Sequence, residues 1–176
     1  MRPAQSGDKI EVTAARLDAS HPDGQVVLSA DFTLGLTQTL RDAVSRGLPL
    51  YFLTELQIER SRWYWFDATV VATQIEWRLS YHALTRQFRV TSTSGSDAFP
   101  ALADALGAMS SIRRWQVATI DQFEPRTVYQ VWVRMRLDTT RLPKPFQMTA
   151  LTDRDWNPQS EWKRFDFTVP TPTSAR

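Results

Sequence analysis

Residues 129–137 read YQVWVRMRL, and this stretch decides the fold. Every second residue is apolar, while most of the intervening residues are polar or charged. Because successive side chains of a β-strand point to opposite faces, a period of two predicts a strand with one dry face. The apolar set is Tyr129, Val131, Val133, Met135 and Leu137, and the opposite set is Gln130, Trp132, Arg134 and Arg136.

The same alternation recurs along most of the chain. It marks residues 9–18, 25–34, 50–58, 71–81, 88–90 and 165–169. The first two segments are predicted to pair as a hairpin, because the sequence HPDG at 21–24 supplies a turn between them. Residues 82–85 are predicted to connect a second hairpin, and residues 92–96 to form a polar loop.

Two segments change to a helical period. The first runs from Thr37 to Arg46, with Thr37 as N-cap and Gly47 just after its end. The second is predicted over residues 99–112. Its expected caps are Ser96 or Asp97 before it, and the cations Arg113 and Arg114 after it.

Seven or eight strands and two short helices predict a mainly β protein. One-sided alternation favours an antiparallel two-sheet β-sandwich, with an immunoglobulin-like or C2-like Greek key. A partly open barrel is the alternative. We expect residues 1–8 to be a flexible N-terminus, residues 9–169 a single domain, and residues 170–176 a flexible tail.

Composition excludes several classes of protein. The chain of 176 residues is 42% hydrophobic and 23% charged, which indicates a globular domain rather than a disordered chain. It has no Cys, so disulfides, thiolate metal sites and cysteine nucleophiles are excluded. The 21 basic and 19 acidic residues are interleaved, which argues against nucleic-acid binding. No apolar run is long enough to span a membrane, and 18 Arg against 3 Lys is typical of a GC-rich bacterial genome.

No catalytic or metal motif is apparent. His21 and His82 lie in predicted turns, and neither a nucleophile elbow nor a phosphate-binding or dinucleotide glycine motif occurs. Asp153 and Asp155 are compatible with a calcium ion at a loop tip, or with a turn whose charge Arg154 balances. We favour the turn, because calcium needs about 6–8 oxygen ligands. The sequence therefore predicts no enzyme, no metal and no cofactor.

The densest cluster with binding potential is RSRWYWF at residues 60–66. Arg, Trp and Tyr dominate the energetics of protein interfaces, so this cluster favours partner recognition. The alternative is a core corner, where alternate rings point inward. The candidate partner-binding residues are Arg60, Arg62, Trp63, Trp65 and Arg86, with Arg134 and Arg136 second. The last two also fit an anion-binding groove, or a solvated sheet face with cross-strand ion pairs.

Several segments together resemble a proteobacterial family called domain of unknown function 4390. They are GLPLYF (47–52), RWYWFD (62–67), LSYHALTRQF (79–88), MRLD (135–138), LPKPF (142–146), DWN (155–157) and EWK (161–163). The resemblance covers about residues 8–169. It implies a signal peptide or N-terminal anchor and a place in the cell envelope. Residues 1–7 contain no apolar leader, so the chain is expected to be the mature, periplasmic domain behind an added Met1.

The resemblance also implies that the gene lies beside one for a membrane sensor histidine kinase. It implies no catalytic residue, because the family has no established activity. We therefore expect a non-enzymatic envelope domain that binds an envelope or membrane protein. The gene position adds the hypothesis that the domain is accessory to such a kinase. The alternative is a periplasmic carrier of a small apolar or anionic ligand, with Trp77, Tyr81 and Phe88 lining its cavity. A hydrolase would need a His or a carboxylate pair converging in one cleft. The sequence does not set the oligomeric state.

Overall fold

The computed structural model describes residues 8–20, 22–60 and 68–170. Within these ranges strands dominate, so the prediction of a mainly β protein is confirmed. The strands are β1 (Ile10–Asp18), β2 (Gln25–Leu34), β3 (Leu50–Arg60), β4 (Ala68–His82), β5 (Gln87–Ser92), β6 (Gly95–Phe99), β7 (Ser111–Thr119), β8 (Val128–Leu137) and β9 (Lys163–Thr168). The helices are α1 (Gln38–Ser45), α2 (Leu102–Met109) and α3 (Lys144–Ala150), with 3-10 turns at Ile120–Gln122, Thr139–Arg141 and Arg154–Trp156.

The strands form two antiparallel sheets. The smaller sheet has the order β1-β2-β7, and the larger has the order β6-β5-β4-β3-β8-β9. Strands β3 to β6 form a meander, and β8 returns to lie beside β3 in the way that a Greek key closes. The smaller sheet covers one face of the larger one, with β1 against β8 and β7 against β4, which makes a two-sheet sandwich.

The core lies between the two sheets, and β8 shows how the sequence builds it. Its odd-numbered residues from Tyr129 to Leu137 are all buried, whereas the even-numbered ones are only partly buried. On β3, which is central in the larger sheet, Phe52, Leu56 and Ile58 are fully buried on the same side. Alternation in the sequence therefore corresponds to an inner face and an outer face of the larger sheet.

The first helix and the first hairpin form as predicted. Strands β1 and β2 pair antiparallel from Ile10 opposite Leu34 to Asp18 opposite Val27. The side chain of Thr37 caps α1 by accepting a hydrogen bond from the Leu40 N–H. Asp8, which the prediction placed in the mobile N-terminus, forms an ion pair with α1 through Arg41 at 3.1 Å.

The predicted polar loop at residues 92–96 is wrong. Residues 95–99 form β6, which pairs with β5 across a tight turn. Gly95 adopts a φ of +144°, a conformation that residues with a Cβ rarely adopt, so the chain can reverse there. Four of the five β6 residues are exposed, and an edge strand without a dry face carries no alternation to detect.

The second predicted helix is too long, because residues 99–112 contain the end of β6, all of α2 and the start of β7. Ser110 ends the helix, with its hydroxyl donating to the Gly107 carbonyl oxygen at 2.8 Å. The four residues predicted as caps lie on strands instead: Ser96 and Asp97 on β6, Arg113 and Arg114 on β7. The third helix, α3, was not predicted, since seven residues with a Pro near the start give only a weak helical period.

Candidate protein-binding surface

The outer face of the larger sheet carries a carboxylate held between two arginines. Glu55 on β3 lies opposite Arg134 on β8, and Arg136 is two residues further along β8. Arg134 donates to the carboxylate from Nε at 2.8 Å and from Nη2 at 2.6 Å. Arg136 donates from Nη2 at 3.2 Å. The three side chains are only 16%, 22% and 27% exposed, so the cluster is rigid and largely desolvated.

The position of Glu55 decides between the two interpretations of Arg134 and Arg136. Glu55 occupies the position that an anion would take in the predicted anion-binding groove, so the cross-strand ion pair describes the face better. One carboxylate neutralises only part of the charge of two guanidinium groups. The cluster therefore presents a fixed, partly compensated positive surface.

Two tryptophans extend this cluster across β8 and β9. The Arg134 guanidinium lies 4.2 Å from the centre of the Trp162 ring, and the Arg164 guanidinium lies 5.5 Å from that of Trp132. The Trp132 indole nitrogen is buried without a hydrogen-bond partner among the described residues. Leaving that donor unpaired costs about 1–3 kcal/mol, so packing must hold the ring in place. We call the set the Arg–Trp ladder; it comprises Glu55, Trp132, Arg134, Arg136, Trp162 and Arg164.

A groove of about 560 Å³ opens beside the ladder. One wall is Lys9 with residues 10–12 at the start of β1. The other wall is Gln159 with residues 161–164, where β9 begins. Both β1 and β9 are edge strands of their sheets. The groove and the ladder share Trp162 and Arg164, so they form one continuous surface.

The family described as "Domain of unknown function (DUF4390)" matches residues 7–166, which is nearly the whole chain. The chain belongs to the DUF4390 family. Comparison with curated proteins and with solved structures gave no match.

The residues predicted from sequence do not form one site in this DUF4390 domain. Arg60, at the end of β3, forms an ion pair with Glu124 at 2.8 Å. Arg86 is exposed in the β4–β5 turn. Arg60 pairs with Ala68 at the first residue of β4, and Arg86 follows His82, the last residue of that strand. Because β4 is 15 residues long, Arg60 and Arg86 lie about 45 Å apart along it. Arg62, Trp63 and Trp65 lie outside the described residues.

Sequence reasoning missed Trp162, Arg164 and Glu55 as site residues. Arg164 and Asp166 alternate with Phe165 and Phe167, and that pattern does indicate an outer face for Arg164. Glu55 and Arg134 are 79 positions apart in the chain. A local sequence pattern does not predict how the strands that carry them align.

A second groove of about 540 Å³ lies on the same outer face, towards β5. Arg141 forms one wall, with its guanidinium 4.1 Å from the centre of the Tyr51 ring and 2.9 Å from the Glu76 carboxylate. Partial desolvation acts to lower the pKa of Arg141, but Glu76 and the Tyr51 hydroxyl hold that pKa above its ordinary value. Arg141 is thus a permanently charged residue that already has partners.

The other polar candidates have structural roles. Asp153 accepts from the Asp155 N–H at 3.0 Å, and Asp155 accepts from the Thr37 hydroxyl through its carbonyl oxygen at 2.9 Å. This turn fastens the 3-10 helix at Arg154–Trp156 to α1. His82 is exposed, with the Thr85 hydroxyl 3.4 Å from its Nδ1, and His21 lies outside the described residues. The described residues contain no group of three His, Asp or Glu side chains placed to hold a metal ion.

The interior aromatic residues pack against protein atoms. Trp77 donates from its indole nitrogen to the hydroxyl of the buried Thr54 at 3.0 Å. Tyr81 and Phe88 lie with their ring centres 4.8 Å apart.

In the described part of the chain no helix has the length and apolar character needed to cross a membrane.

Proposed function

We propose that this DUF4390 domain is a non-enzymatic, protein-binding domain that recognises its partner through the Arg–Trp ladder. One observation carries the proposal: arginine and tryptophan side chains stack on the outer face of the larger sheet, beside an open groove. Arg and Trp are enriched among the residues that contribute most to protein–protein affinity. Side chains already held by Glu55 lose little freedom on binding, which lowers the entropic cost of association.

The cell-envelope location is also part of the proposal, and so is an accessory role beside a membrane sensor kinase. Both rest on the family resemblance. They set where a partner should be sought, namely among periplasmic and membrane proteins.

Affinity capture from detergent-solubilised cell envelope tests the proposal. The bait is the full chain, compared with the double variant Trp162→Ala/Arg164→Glu. Arg164 is exposed and Trp162 is partly exposed, so the variant should fold, which circular dichroism and thermal unfolding verify. The matched control is Arg86→Glu, the same charge reversal at the far end of the larger sheet.

The proposal expects a protein that the full chain and the Arg86→Glu control retain and that the double variant loses at least tenfold. Equal retention by the double variant would show that the ladder is not the binding surface. If no protein is retained specifically, the partner-binding proposal fails. A thermal-shift screen of small apolar and anionic compounds would then test the ligand-carrier alternative.

A further inference from the structure

We propose that the groove between β1 and β9 binds an extended segment of another protein, acidic where it meets Lys163 and Arg164, which adds to the outer edge of β9 as a further strand. This inference rests on the proposed function, and it specifies the mode of recognition and the chemistry of the partner. The segment would cross the end of the Arg–Trp ladder at Trp162 and Arg164.

The free edge of β9 is long and regular. Residues 158–160 already run alongside β8, since the Leu137 N–H donates to the Pro158 carbonyl at 3.0 Å and the Ser160 N–H to the Met135 carbonyl at 2.8 Å. Strand β9 then pairs with β8 in unbroken antiparallel register from Lys163 to Thr168, shifted by one residue relative to residues 158–160. In an antiparallel pair, alternate residues direct their N–H and C=O groups away from the partner. Among the described strands, only β8 pairs with β9, so this outward row is open to another strand.

The other edge strands of the described sheets have shorter or interrupted rows of backbone N–H and C=O groups. The β1 edge is interrupted by a bulge between Val12 and Ala14. The register of β7 with β2 shifts twice. Strand β6 has only five residues, and helix α2 packs against it. An extended segment therefore finds its longest uninterrupted row of backbone groups at β9.

The charged groups around the groove form no ion pairs within the described chain, although the Arg164 guanidinium lies near the Trp132 ring. Lys9, Lys163 and Arg164 supply three positive charges, and Glu11 and Glu161 supply two negative ones. None of these five side chains forms an ion pair, in contrast to the Glu55 cluster on the adjoining face. Basic residues exceed acidic ones by one in the groove, so a segment whose acidic residues lie beside Lys163 and Arg164 is electrostatically complementary there, whereas Asp166 further along β9 disfavours an acidic neighbour.

The register of β9 also predicts the pattern of the segment. Arg164 and Asp166 lie on the outer face, opposite Trp132 and Gln130, whereas Phe165 and Phe167 point inward. A strand paired with β9 would place alternate side chains beside Arg164 and the others towards Phe165. The expected segment therefore alternates polar and apolar residues, with an acidic residue beside Arg164 and an uncharged or basic one beside Asp166. Its paired part would be about six residues or 20 Å long, to match β9.

The test uses a displayed library of random ten-residue peptides, selected on the full chain. A parallel selection uses the variant Lys163→Glu/Arg164→Glu, whose two substituted side chains are exposed. The most enriched peptide is synthesised, and so is a copy that is N-methylated at alternate backbone amides. Binding is measured by calorimetry, and hydrogen exchange follows the amides of residues 163–168 and, as a control edge, of residues 95–99.

We expect peptides that alternate polar and apolar residues, with an acidic residue at the position beside Arg164, to be enriched on the full chain and not on the variant. The peptide should slow exchange at residues 163–168 and leave residues 95–99 unchanged. N-methylation and the double variant should each weaken binding at least tenfold, whereas Arg86→Glu should not.

Three results would overturn the inference: no enrichment over the variant, protection located elsewhere, or equal binding of the N-methylated peptide. A fourth is protection of β9 that rises with protein concentration without peptide, together with a doubled mass in light scattering. That result would identify a second copy of the chain as the occupant. If an envelope protein needs the ladder but leaves β9 exchange unchanged, the proposed function stands and the strand-addition inference falls.

Discussion

Replacing Glu55 by glutamine should destabilise the larger sheet, because it leaves two guanidinium groups without their counter-charge. Glu55→Gln keeps the size of the side chain and one acceptor oxygen. It removes the charge that Arg134 approaches at 2.6 Å and Arg136 at 3.2 Å. Each of the three side chains is less than a third exposed, so water cannot fully replace the carboxylate.

The magnitude follows from that partial burial. Removing one partner of a fully buried ion pair costs about 3–5 kcal/mol, whereas exposed pairs contribute about 0–1 kcal/mol. For exposures of 16–27% we place the loss in the free energy of unfolding between these limits, at about 2 kcal/mol. For a domain of this size the melting temperature should fall by about 4–8 °C.

The assay is urea unfolding followed by tryptophan fluorescence and circular dichroism. The control is Glu59→Gln, at an outer-face position on the same strand, where the glutamate makes no ion pair with the described residues. This control should change the free energy of unfolding by less than about 0.5 kcal/mol. Equal losses in the two variants, or a loss below about 0.5 kcal/mol for Glu55→Gln, would refute the claim that Glu55 holds the arginines.

Three further substitutions test the core and the predicted surface. Leu56→Ala, at a fully buried position on the central strand, should cost about 3 kcal/mol in urea unfolding, and a loss under about 1 kcal/mol would mean that the site is not close-packed. Thr54→Val removes the acceptor of the Trp77 indole N–H and should cost about 1 kcal/mol, with a change in tryptophan emission; an unchanged spectrum and stability would show that the bond is not formed. Arg60→Ala breaks the exposed pair with Glu124 and should change the free energy of unfolding by less than about 1 kcal/mol, so a larger loss would assign Arg60 a structural role.

The sequence predicts those parts of the fold where local pattern and tertiary structure agree. Strand β8 alternates because one of its faces is dry, and α1 is recognisable because Thr37 caps an apolar stripe. Strands β6 and β7 escaped prediction for a physical reason: β6 is almost wholly exposed and the register of β7 shifts twice, so neither strand has a strict burial period. The apolar residues between 99 and 112 fit a single helical stripe, although only residues 102–109 are helical.

The site is harder to predict than the fold, because it depends on register between distant strands. Arg134 is recognisable as an outer-face residue, but its contact with Glu55 depends on how β3 aligns with β8. The groove joins residues 9–12 to residues 159–164, at opposite ends of the chain. The sequence analysis selected residues 60–66 because aromatic and basic residues are densest there. In the structure, Arg and Trp side chains from β8 and β9, which are far apart in the chain, contact one another.

The most direct test of partner recognition is site-specific photo-crosslinking in intact cells. A photoreactive phenylalanine analogue replaces Arg164 in the ladder in one strain and Arg86 in the distant turn in another. The account predicts a discrete crosslinked protein in the Arg164 strain and none in the Arg86 strain. The absence of a crosslink at Arg164, or the same crosslinks at both positions, would contradict it.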